Sequence, residues 1–113
     1  LPGKLGLDGG NSLGLSPADG PLVSVLLLSY WSKKEDDEKI GKTMRGVLEK
    51  IQQVSLEKKT AVSFTFMNYS SQFQDPISSY GEVNKLRLQE VSKKYDPEGV
   101  FQKLVPGGFK LFT

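Results

Sequence analysis

The sequence predicts an α+β fold, with amphipathic helices packed on one face of a sheet. Three observations carry that expectation. Residues 22–31, from Leu22 to Trp31, form an apolar run long enough for a central strand. Residues 61–67 alternate, with Val62, Phe64 and Phe66 set against Ser63 and Thr65. Between these two segments Ile40, Met44, Val47, Leu48 and Ile51 recur at helical spacing and mark one face of a helix.

In chain order, residues 1–21 are rich in Gly and Pro, with Leu5, Leu7, Leu13 and Leu15 spaced among them, and read as a loop segment. Gly3-Lys4-Leu5-Gly6 lacks the spacing of a phosphate-binding loop. After the first strand, Ser32-Lys33-Lys34-Glu35 has the spacing of a capping box, and the acidic run Glu35–Glu38 suits a first helical turn. Gly41 and Gly46 weaken the helix that follows by about 1 kcal/mol each relative to Ala. Packing against the sheet must offset that cost. Lys58-Lys59-Thr60 leads into the second strand, and residues 70–79 make a polar loop containing Asp75-Pro76.

A second helix is expected from about Gly81 to Tyr95, with Leu88, Val91 and Tyr95 on its stripe. Lys93 and Lys94 suit its C-terminal end, and Pro97 stops it by pushing Asp96 out of the helical region. Asp96-Pro97-Glu98-Gly99 then has turn chemistry. Val100, Phe101, Leu104 and Val105 follow at once and need something to bury against, so the tail reads as a clamp. Two strands alone would leave apolar faces and edges uncovered.

Composition excludes several function classes. With 15 basic and 13 acidic residues mixed along the chain, no basic stripe exists for a phosphate backbone, and nucleic acid is not expected as a partner. The apolar run at 22–31 is too short to span a bilayer, so no membrane role is expected. The chain has no Cys and no His. That removes disulfides, thiolate chemistry and imidazole catalysis, and leaves only carboxylates for a metal, so no metal site is expected.

The tail Lys94-Tyr95-Asp96-Pro97-Glu98-Gly99-Val100-Phe101-Gln102, together with Phe66-Met67-Asn68-Tyr69, resembles the C-terminal end of FAD-linked oxidoreductases of the berberine-bridge-enzyme-like type. These belong to the vanillyl-alcohol oxidase and p-cresol methylhydroxylase superfamily, and the likeness is to its fungal branch. It runs from Gly9-Gly10-Asn11 to Phe112. The resemblance implies that residues 22–113 are part of a substrate domain built on an antiparallel sheet, with the berberine-like tail at about 62–109. Family members are several times longer and carry a separate flavin-binding domain. The chain, which starts at Leu1, is therefore expected to be a piece of such an enzyme, inactive alone and unable to retain FAD. A flavin-binding domain, in the same or another chain, and a small-molecule substrate are the implied partners. The alternative is a stand-alone α+β binding or assembly domain without redox activity.

The resemblance also points to a site. Family members place an Asn-Tyr pair at a strand end facing the flavin, which implies Tyr69 as general base and Asn68 as a cofactor-binding residue. A base is needed because oxidising an alcohol or amine C–H leaves a proton to be accepted. A free phenol titrates near ~10, so Tyr69 needs a nearby positive charge or the flavin environment. On residue type alone, Tyr69 reads as an aromatic closing a strand, half-buried, with its hydroxyl in water. Asn68-Tyr69-Ser70 is also a glycosylation sequon, but a glycan there would block a flavin-facing site. Tyr30, Trp31 and Tyr80 are candidates for a substrate wall, although core packing more often explains such residues.

Overall fold

Residues 11–112 are described in the structure, a computed structural model, and they fall into two units. One comprises residues 23–62, and the other joins residues 11–22 to residues 63–112. Gly3-Lys4-Leu5-Gly6 and Gly9-Gly10 lie outside the described residues.

The unit of residues 23–62 is dominated by α1, Asp37–Glu57. Its apolar positions match the stripe read from the sequence, with Ile40, Met44 and Leu48 half-buried along one face. The start differs from the capping-box expectation. A 3-10 turn, Lys34–Asp36, precedes the helix, and no side chain caps it at Asp36. Instead the Trp31 indole Nε1 donates to Asp37 Oδ1 at 2.6 Å, fastening the incoming chain to the first turn. Asp37 and Glu38 there complement the positive end of the helix dipole. Arg45 and Glu49 form an exposed pair at 2.9 Å, of the kind that adds only a few tenths of a kcal/mol.

The end of α1 is a Schellman motif. The Lys59 amide bonds the Leu56 carbonyl at 3.0 Å, and the Thr60 amide bonds the Ser55 carbonyl at 2.9 Å. The residue at the left-handed position is Lys59, with φ 56°, where glycine is usual.

In the other unit, α2 (Pro76–Ser79), α3 (Glu82–Tyr95) and α4 (Val100–Lys103) follow in succession. The short α2 was expected to be loop, yet it holds the most buried residues described, Pro76, Ile77 and, at its C-terminal end, Tyr80. Its signals are local. Asp75 caps it through Oδ1, which accepts the Ser78 amide at 3.0 Å, and Pro76 opens it where no amide hydrogen is needed. Residues 11–22 pack here too. Asn11 Oδ1 accepts the Leu13 amide at 2.9 Å, and Gly14, at φ 77°, passes directly over the Tyr80 backbone.

Helix α3 ends at Tyr95, as Pro97 requires, and the turn closes through a bond of 2.9 Å from the Gly99 amide to the Asp96 carbonyl. The Asp96 carboxylate then caps α4, accepting the Val100 and Phe101 amides at 2.8 and 3.0 Å. The tail is indeed held, but by polar groups. Lys110 Nζ donates to the carbonyls of Phe101 and Val105, and Leu111 bonds through its amide to Gln102 and through its carbonyl to Gln89. Phe101 and Leu104, read as anchors, are 67% and 74% exposed.

The expected antiparallel sheet is not there: the described residues are helical, with no strand among them. A strand is a paired state, and its backbone amides and carbonyls need a neighbouring backbone. Residues 22–31 have the composition of a central strand but make no backbone ladder among the described residues, and Val23 is 90% exposed. Residues 63–66 make no ladder either. Phe66 is extended, and Phe64 and Phe66 set their rings 6.3 Å apart, as residues two apart in an extended chain do. The Thr65 amide bonds a side chain, Ser79 Oγ, where a sheet would supply a carbonyl. The alternation is in the sequence, but no described segment pairs with it as a strand.

Candidate functional site

The Asn-Tyr pair sits on a 3-10 turn, Met67–Tyr69, that follows the extended Phe66. The turn is closed by the Tyr69 amide on the Phe66 carbonyl and the Ser70 amide on the Met67 carbonyl, each at 3.2 Å. Ser70 Oγ adds a bond of 2.9 Å to the Phe66 carbonyl.

What fixes the turn in place is the end of α2. Ser79 Oγ donates to the Pro76 carbonyl at 2.6 Å and accepts the Thr65 amide at 2.9 Å. Ser63 Oγ donates to the Ser79 carbonyl at 3.2 Å. One residue on, the Tyr80 ring stacks on Phe64 with centroids 5.9 Å apart and 18° between planes. Asn84 Nδ2 holds the Tyr80 carbonyl at 2.8 Å, which ties the arrangement to the first turns of α3.

A row of rings results: Tyr80 on Phe64, Phe64 beside Phe66, and Phe66 against Tyr69 at 5.4 Å and 55°. The row runs from the buried end to the surface. Tyr80 is 5% exposed, and Tyr69 is 65% exposed with its neighbour Asn68 also open to solvent. Burial pushes the Tyr80 phenol above its ordinary value, outweighing a smaller downward pull from the Met67 backbone, so Tyr80 stays a neutral hydroxyl.

The candidate residues therefore separate. Asn68, Tyr69 and Tyr80 are brought together in the unit of residues 63–112. Tyr80 is core, stacked on Phe64; the signal in the sequence was Asp75-Pro76, a helix start one turn before it. Tyr30 and Trp31 belong to the unit of residues 23–62, Tyr30 86% exposed and Trp31 bound to Asp37. Chemically, the turn presents an amide with donor and acceptor atoms next to a phenol, both directed outward from a fixed base.

No family model and no solved structure matches the chain. Curated relatives do. Over 103 residues, 91% of its length, the chain is 41% identical to an FAD-dependent monooxygenase of Fusarium proliferatum. It is 43% identical over the same share to an FAD-dependent monooxygenase of Cochliobolus heterostrophus. A bifunctional solanapyrone synthase of Alternaria solani is 38% identical over 83% of the chain. The chain spans about a fifth of the length of these relatives, from 18% to 20%.

Proposed function

We propose that this chain is the C-terminal, substrate-domain portion of an FAD-dependent oxidoreductase of the berberine-bridge-enzyme-like type, acting on a small organic substrate. The observation that carries the reading is the identity of 41–43%, across nine tenths of the chain, to two fungal proteins named for FAD dependence. The Asn68-Tyr69 turn supports it, because its donor set suits the polar edge of a flavin ring and an adjoining substrate. When bound, FAD supplies the two-electron acceptor.

The work of this chain's residues follows from their chemistry. Tyr69 takes the proton that an alcohol or amine loses as its C–H is oxidised. Asn68, with a donor and an acceptor on one short side chain, holds the cofactor edge. The flavin-binding domain is a partner, in the same or another chain. Exposed Val23, Val25 and Leu28, at 90%, 63% and 64%, are apolar surface suited to such a partner. Without it, the chain is inactive and colourless.

The test compares the 113-residue chain with the longest protein encoded together with it. The longer protein should carry a stoichiometric flavin absorbance band and the short chain none. Turnover under 18O2 then divides the chemistry: unlabelled product with hydrogen peroxide supports hydride transfer, whereas label in the product points to oxygen insertion. A longer protein that binds no flavin sinks the reading.

A further inference from the structure

Ser79 uses one hydroxyl twice. Its proton goes to the Pro76 carbonyl at 2.6 Å, a local bond of the kind serine makes to the turn before it. That bond leaves the oxygen free to accept, and it takes the Thr65 amide at 2.9 Å from fourteen positions back in the chain. The Ser79 carbonyl accepts the Ser63 hydroxyl at 3.2 Å. Side chain and backbone of one residue therefore hold the approach to the turn bearing Asn68 and Tyr69. Phe66, next after Thr65, carries that turn. Its carbonyl accepts the Tyr69 amide at 3.2 Å and the Ser70 hydroxyl at 2.9 Å, and its ring lies 5.4 Å from the Tyr69 ring.

From this geometry we infer that Ser79 is a positioning residue for Tyr69, acting through Thr65 and Phe66 and touching neither substrate nor cofactor. The inference rests on the reading of Tyr69 as the base. Tyr69 is 65% exposed, so its own packing does little to aim the phenol. Phe66 aims it, through the turn and through the ring contact, and Phe66 is fixed by the bond one residue earlier. In a sheet a neighbouring strand would supply that fixing point; here the Ser79 oxygen is the acceptor. Without it, the half-buried Thr65 amide has to turn toward water to find a partner, and Phe66 turns with it.

The decisive variant is Ser79→Ala, which removes the hydroxyl and adds no bulk. In the 113-residue chain, NMR should show faster amide exchange at Thr65 and displaced signals for the Tyr69 ring, with α1 unchanged. In the longer flavoenzyme, anaerobic flavin reduction should slow by about 10- to 100-fold, the scale of a misplaced reacting group. Flavin content and substrate affinity should hold, and Ser79→Thr, which keeps the hydroxyl, should restore the rate. If Ser79→Ala does not fold, an ester in place of the Thr65 amide removes the donor, leaves Ser79 intact and is read the same way. Unchanged Thr65 exchange and Tyr69 signals would overturn the inference. So would wild-type flavin reduction in Ser79→Ala when Tyr69→Phe is slow. Wild-type reduction in Tyr69→Phe itself would instead remove the base reading, and the NMR comparison would still decide whether Ser79 directs the Tyr69 ring.

Discussion

Gly14 runs so close to Tyr80 that a Cβ at position 14 would stand less than 3.0 Å from the Tyr80 carbonyl oxygen. Gly14 also has φ 77°, a left-handed conformation that costs an L-residue about 1–2 kcal/mol. Gly14→Ala therefore meets two penalties, and backbone cannot give way as a side-chain tip can. The expected outcome is local. Residues 11–22 should detach from Tyr80 before α3 unfolds, because a short segment opens at less cost than the whole unit. Amide exchange at Leu15 should rise sharply while helical circular dichroism holds. Protection at Leu15 equal to wild type would show that the segment tolerates the methyl.

At the other end of the scale, Lys59 offers a stabilising change. It occupies the left-handed residue of the Schellman motif that closes α1, with φ 56°. Glycine adopts that conformation without the Cβ clash, although it loses more entropy on folding. Lys59→Gly should raise stability by roughly 0.5–1 kcal/mol, seen as a higher thermal midpoint followed through α1 helicity. A lower midpoint would mean that the lysine side chain contributes more than its backbone strain removes.

How much of this was legible in the sequence depended on whether the signal was local. The α1 stripe, the stop at Pro97, and the Asp96-to-Gly99 turn all depend on residues a few positions apart, and all are present. The sheet was expected but is absent among the described residues, because strand pairing is a property of two segments. Leu22–Trp31 carries the composition of one strand, and its composition says nothing about which backbone would pair with it. The α2 helix was missed for the opposite reason. Four residues cannot show a period, so only the Asp75 cap and the Pro76 start announced it. Asn68 and Tyr69 were singled out by a resemblance, whereas the stack of Tyr80 on Phe64 emerged only once α2 set Tyr80 beside it.

The cap on α2 has a pH signature. Hydrogen bonds from Ser78, first its hydroxyl and then its amide, hold the Asp75 carboxyl below its ordinary value, outweighing a slight desolvation, and the Lys85 ammonium adds a weaker pull. A carboxyl depressed in the folded state stabilises the fold above its unfolded pKa of about 3.9. That contribution falls away as the pH drops from there through the folded value. Protection of the Ser78 amide should thus be constant above about pH 5 and decline in acid. Asp75→Asn keeps an acceptor and loses the charge, so its Ser78 protection should be lower at neutral pH and flat across the same range. A wild-type profile equally flat would remove the carboxylate from the account of this cap.

The catalytic reading stands or falls on the exposed end of the aromatic row. Tyr69→Phe takes away one hydroxyl and leaves the ring against Phe66, so the turn should keep its shape. On the proposed reading, flavin content of the longer protein should be unchanged, because the phenol is not assigned to holding the cofactor. The rate of flavin reduction in anaerobic single turnover, which separates chemistry from reoxidation, should fall by roughly two to four orders of magnitude. Asn68→Ala should behave differently, altering the flavin spectrum or affinity along with the rate. The contrast matters because both residues share one turn: a fold defect at Met67–Tyr69 would lower flavin content and rate together in both variants. Near wild-type reduction in Tyr69→Phe would leave Tyr69 as a packing partner of Phe66 and place the base elsewhere.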